Sequence, residues 1–212
     1  MASDAAPRDR LWAAILQTAP PAPPAPLTPR SQLMAEKYAV IALAGAAAER
    51  AFWPLLGLYR VACHEAAHAV AGYVLGEDPP SSYISILPPD GQTLGYVLSG
   101  AKDFASSIRV PTRTYVTSDE RQALLTLRLG LPSADWRKIR AYMRICRRRA
   151  SELVSENSAL ITALADRLLK VKTLDGAAEI GAIIEDAKRT QVLARLRELG
   201  VIVPESECKA GF

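Results

Sequence analysis

Apolar positions recur with helical period over most of this chain. The first periodic stretch covers 32–53, where Ala, Val, Ile and Leu are densest over 39–48 before Pro54 and Gly57 break the pattern. A second predicted helix covers 58–75 and ends at Gly76. The only β pattern follows it: 83–87 alternates loosely, 88–91 reads as a turn, and 93–98 returns, which predicts a hairpin. Residues 99–116 read as loop, with a further short strand at 108–110. Thr117 and Glu120 form a capping box opening a helix through Leu129. A long helical stripe then runs from about Asp135 to Leu169, and Asp175-Gly176 starts a last helix closed by Gly200. The expected fold is mainly α with a small β-hairpin.

The first thirty residues differ in kind. A short possible helix at 11–18 leads into a stretch of alternating alanine and proline pairs, a stiff extended linker. The expected organisation is a Pro-rich flexible tail over 1–30 and one domain over 31–205. With 212 residues, half of them hydrophobic, the chain can bury one substantial core. No run of about 18 uninterrupted apolar residues occurs, so no membrane span is expected. Three cysteines without a CxxC pair argue against both a disulfide scaffold and a cysteine-type zinc site, and fit a reducing compartment. A cytoplasmic location is expected, with an organellar matrix or stroma as the alternative.

The chain has only two histidines, and they stand four residues apart in His64-Glu65-Ala66-Ala67-His68. One helical turn brings both imidazoles to the same face, where they can share one Zn²⁺. Glu65 is then placed as general base toward a zinc-activated water, the arrangement of a metallopeptidase. Cys63 points about 100° away on the same helix and reads as packing. A catalytic zinc needs a third protein ligand. Asp135, at the start of the long helix, is the first candidate, although helix capping alone would also place an acid there. Glu49, inside an otherwise apolar helix, is the second; its alternative is a charge facing solvent beside Arg50.

The segment YRVACHEAAHAV (59–70) resembles the YHEAGHAL-type signature of the FtsH family, the ATP-dependent zinc metalloproteases of membranes and organelles. YISILP (83–88) followed by TLGYV (93–97) is similar to that family's hairpin, and SADW (133–136) to the GAxNDL segment whose aspartate is the third zinc ligand. The resemblance covers roughly 55–185. It implies a zincin-like helical peptidase domain with His64, His68 and Asp135 as ligands and Glu65 as catalytic base. Ala67 stands where the family usually has Gly. The family's AGRAAEE-like helix has no match in 117–130, yet a look-alike, LAGAAAER (43–50), precedes the histidines. It is either an Ala-rich coincidence or the same helix moved along the chain. The ATPase module and membrane anchors have no counterpart in these residues, so hydrolysis of peptides is implied but not ATP-driven unfolding.

A zinc-dependent metalloendopeptidase acting on peptides or unfolded protein is therefore the expected function, with a separate ATPase or a homo-oligomer as possible partners. The 83–87 strand would align an extended substrate by strand addition. Two alternatives remain open. One is a catalytically inactive FtsH-like binding or regulatory module. The other is a nucleic-acid-binding protein working through seven basic residues between Arg137 and Arg149. No recognition motif or aromatic platform accompanies that run, so a solvated helix face is the simpler reading and nucleic acid is not the expected partner.

Overall fold

The computed structural model describes residues 29–52, 54, 57–77, 83–87, 96–98, 119–131 and 134–201. Nine elements follow in order: α1 (Pro29–Ala51), α2 (Gly57–Val74), β1 (Tyr83–Ser85), β2 (Tyr96–Leu98), α3 (Asp119–Gly130), α4 (Trp136–Glu156), α5 (Ser158–Val171), β3 (Thr173–Asp175) and α6 (Ala177–Glu198). The protein is mainly helical, as the periodicity predicts. The expected 11–18 helix, the Pro-rich linker, the 88–91 turn, the 108–110 strand and Thr117 of the capping box lie outside the described residues.

Helix α1 is the axis of the molecule. A helix apolar on all sides must be covered on all sides, and α1 is packed by α2, α3 and α4. Ala35, Ala39, Ala44 and Ala48 are fully buried and Val40 and Leu43 nearly so. Such small side chains let neighbouring backbones come close. The closest approach is to α3, where a Cβ added at Gly130 would lie 2.0 Å from the Ala35 Cβ. Helix α5 closes the far side of α2, and Leu160, Ile161, Leu164 and Leu168 on it extend one continuous core.

The sheet is small and antiparallel, in the order β2-β1-β3. Ile84 of β1 faces Val97 of β2 and Leu174 of β3. The hairpin strands are thus found where expected, but β1 is the central strand. Both its edges are already paired, so strand addition at 83–85 is ruled out, and among the described residues the outer strands are β2 and β3. Helix α2 packs against β1 and β2.

Two further features depart from the sequence reading. The stripe expected over 135–169 is two helices, interrupted at Asn157. That residue leaves helical geometry (φ −110°, ψ 22°), and its Nδ2 donates to the Leu153 carbonyl at 2.8 Å, a local bond that competes with continued helix. Thr173–Asp175, expected only as the lead into the last helix, forms a third strand that β1 requires as a partner. No helix among the described residues is long and apolar enough to cross a membrane.

The α1–α3 contact is testable. Gly130→Ala should destabilise the protein by roughly 1–3 kcal/mol through overpacking against Ala35. The readout is the urea midpoint, and an unchanged midpoint would show that the helices stand farther apart.

Candidate metal centre

Helix α2 projects both histidines toward α1, as the i, i+4 spacing requires. Their rings meet edge to face with centroids 4.8 Å apart, and the two Nε2 atoms are 3.1 Å apart. What fixes them lies on α1. His68 Nδ1 is 2.8 Å from the Ile41 carbonyl oxygen, which can only accept, so Nδ1 carries the proton. His64 Nδ1 is 2.8 Å from Glu49 Oε1 and donates to that carboxylate. With both Nδ1 protons committed, the two Nε2 atoms face one another, and each neutral ring keeps its lone pair there. Outer partners of this kind set the tautomer and orientation of metal-binding histidines.

A carboxylate completes the group, and it is not the expected one. Asp119, the first residue of α3, places Oδ2 3.6 Å from His64 Nε2 and Oδ1 3.7 Å from His68 Nε2. The Ala46 backbone N–H donates to Oδ2 at 3.0 Å and holds the carboxylate in place. Among the described residues, His64, His68 and Asp119 are the one group that could hold a metal ion. Asp135 is exposed at the start of α4, and its Oδ1 accepts from the Lys138 backbone N–H at 2.8 Å. It caps a helix and stands apart from that group: the structure brings Asp119, and not the expected Asp135, to the two histidines. Glu49 is not among the three either; it orients His64 and lies 3.7 Å from Arg60 Nε.

Asp119 and Asp135 both open helices, so position in a helix does not separate them. The capping box marks the start of α3 but says nothing of what lies opposite. The distinguishing fact is tertiary: α3 crosses α1 closely enough for its first carboxylate to meet the Ala46 N–H.

The three groups fit a tetrahedral ion. Bonds of about 2.0–2.1 Å imply ligand atoms roughly 3.3 Å apart, which the observed 3.1, 3.6 and 3.7 Å bracket. Gly45 supplies the space. A Cβ there would lie 2.5 Å from His68 Nε2 and 2.6 Å from His64 Nε2, within the ground such an ion would occupy. The side chains of His64, His68 and Asp119 are 21%, 16% and 17% exposed, so the group is sheltered yet reachable from solvent.

Charge is concentrated here. Burial disfavours the His64 imidazolium, but Asp119 outweighs it, and with Glu65 and Glu49 it lifts the ring to about 9. Burial also opposes ionisation of Asp119, yet contacts from both histidines hold its carboxyl far below the usual range. Burial raises Glu65, the imidazoles pull it down, and Asp119 and Glu49 push it up again. Cys63 and Cys146 are buried, and burial raises each thiol to about 11, so neither offers a thiolate at neutral pH.

No protein-family model, no curated protein and no solved structure matches this chain.

Two outcomes follow from the geometry. A proton on His64 competes with a metal for the same lone pair. Because that proton is held up to about pH 9, apparent Zn²⁺ affinity should rise about tenfold per pH unit from 7 towards 9 and level off above, a slope of one proton. Competition titration with a chelating dye measures it, and a flat profile over that window would contradict the arrangement. Separately, Gly45→Ala favours helix by about 0.5–1 kcal/mol but fills the space between the imidazoles. It should remain folded by circular dichroism and lose stoichiometric zinc. Retained zinc would mean that the ion sits elsewhere.

Proposed function

We propose that this protein is a zinc-dependent endopeptidase with a zincin-like helical domain, similar in its site to the FtsH peptidases. The observation that carries the reading is the convergence of His64 Nε2, His68 Nε2 and the Asp119 carboxylate within 3.1–3.7 Å, with both Nδ1 protons directed away. Two neutral nitrogens and one oxygen from separate elements suit zinc, whose catalytic sites take three protein ligands and keep one position open.

Zinc held by these residues supplies a Lewis acid that polarises a carbonyl and acidifies water. Glu65 follows His64 on the same helix and is buried beside the histidines. Its environment raises its affinity for protons, which moves a carboxylate toward the pKa useful to a base at neutral pH. It takes the proton of the attacking water at its carboxylate and returns it to the leaving amine. Glu49 and Ile41 keep the imidazoles aligned, and the Ala46 N–H keeps Asp119 aligned. An extended substrate is best received along β2, an outer strand of the sheet that lies against α2.

The resemblance to FtsH peptidases gains from one spatial fact. LAGAAAER (43–50) is the part of α1 that lies on the histidines, so a helix of that composition occupies the neighbourhood although it comes earlier in the chain. The peptidase reading predicts one bound zinc per chain and cleavage of unfolded casein. Glu65→Gln should keep the zinc and lose at least a hundredfold in turnover. Asp119→Asn should lose zinc, whereas Asp135→Asn should keep both zinc and activity. Zinc-free, inert wild-type protein would instead favour a non-catalytic module, and turnover by the Glu65 variant would remove its assigned role.

A further inference from the structure

His64, His68 and Asp119 all lean on α1, but not on the same kind of partner. His68 is held by the Ile41 carbonyl and Asp119 by the Ala46 N–H, both fixed parts of the backbone. His64 is held by a side chain, the Glu49 carboxylate. A glutamate has several torsions to lose on being fixed, and at 36% exposure this one has water as a competing partner. Its Oε1 faces His64 Nδ1 at 2.8 Å, and its Oε2 lies 3.7 Å from Arg60 Nε. Arg60 stands four residues before His64, so both project from one face of α2, and Glu49 bridges them from α1.

These two charges stand at the unfavourable ends of their helices. Glu49 is in the last turn of α1, where the helix dipole disfavours an anion, and Arg60 closes the first turn of α2, where it disfavours a cation. Each offsets the misplacement of the other. A clamp between helix ends needs only that pair, whereas here the same carboxylate also takes His64 Nδ1, in the shorter contact.

We propose that Arg60 is a positioning residue of the metal centre: it holds Glu49 in the orientation that keeps His64 Nε2 turned toward His68 and Asp119. It acts through Glu49 and the His64 ring. The inference rests on the proposed metal centre and not on hydrolysis. Two effects of Arg60 on a bound cation have opposite signs. A positive charge nearby repels a divalent ion, so its removal by itself tightens binding. Loss of a positioning partner lets His64 turn from the site and weakens binding. The sign of the change therefore tells the two roles apart.

The full chain carries the test. In competition titration with a chelating dye, Arg60→Ala should weaken Zn²⁺ binding about three- to tenfold, less than loss of a direct outer partner because the pair is exposed. Arg60→Lys should restore most of the loss, and Arg60→Ala should add nothing in a Glu49→Gln background. Arg50→Ala removes the same charge from the exposed neighbour of Glu49 and should not weaken binding. A second readout needs no metal. The chain has only two histidines, so both ring Nδ1 protons can be followed by NMR. Arg60→Ala should speed exchange of the His64 Nδ1 proton by about threefold or more and leave that of His68, which rests on Ile41, unchanged. A general loosening of the fold would instead speed both. If these changes occur but wild type cleaves nothing, the role of Arg60 stands and the peptidase reading alone fails. Zinc-free wild type, tighter zinc binding by Arg60→Ala, additive loss in the double variant, or equal exchange at the two rings would each overturn the inference.

Discussion

The contact on which the structure depends is the backbone of one turn and a half of α1 pressed against the histidine side chains. Ile41 offers a carbonyl to one ring, Ala46 an N–H to the opposing carboxylate, and Gly45 between them offers nothing at all. Peptide groups make rigid partners because they have no side-chain torsions to lose. They are available only if no side chain intervenes. That explains why α1 carries only alanine and glycine through 44–48, where it is largely buried: bulk there would hold the rings off the backbone that aligns them.

The same packing creates an electrostatic problem that defines the site. Glu49, Glu65 and Asp119 surround two imidazoles in a sheltered pocket, and buried carboxylates are tolerable only when paired. A proton on His64 is one solution, and its raised affinity for that proton measures how strongly the pocket calls for positive charge. A divalent cation would be the stronger solution, since it would satisfy both Nε2 lone pairs and Asp119 together. For the metal-free protein the signs are opposite at the two ends. His64 stabilises the fold below its ordinary pKa near 6.5, and that contribution is lost as pH rises through about 9. Asp119 stabilises it above the ordinary carboxylate range and fails in acid.

How much of this could be read from sequence follows from the range of each interaction. The helices, the hairpin strands and the His64–His68 pair rest on local periodicity and were legible. The helix break at Asn157 was not, because the apolar stripe passes through it almost in phase and only a side-chain bond to Leu153 marks it. Strand β3 is three residues long and is stabilised by pairing with β1, eighty-eight positions earlier at the Ser85–Thr173 hydroxyl contact. Asp119 failed for the most instructive reason. Two acids open two helices, the resemblance points to Asp135, and what brings Asp119 to the histidines instead is a helix crossing with Gly130 against Ala35. Glu49 stands out in the sequence as a charge inside an otherwise apolar helix. In the structure its carboxylate accepts from His64 Nδ1 and lies outside the group formed by His64, His68 and Asp119.

Chain order and spatial order are separable where a site is assembled from helices, since a metal senses only the positions of donor atoms. In this protein the elements that meet are a small-residue helix, a helix with two histidines, and a helix opened by an aspartate. Their contacts need short distances between particular turns: Gly45 against His64 and His68, Ala46 against Asp119, Ala35 against Gly130. None of these contacts requires that the small-residue helix follow the histidines. A search that demands sequence order therefore loses such a site even when its parts are intact, whereas a search for mutually close donors, each with its outer partner, finds it. Physical adjacency, and not the linear succession of motifs, places Asp119 beside the two histidines and leaves Asp135 as a helix cap.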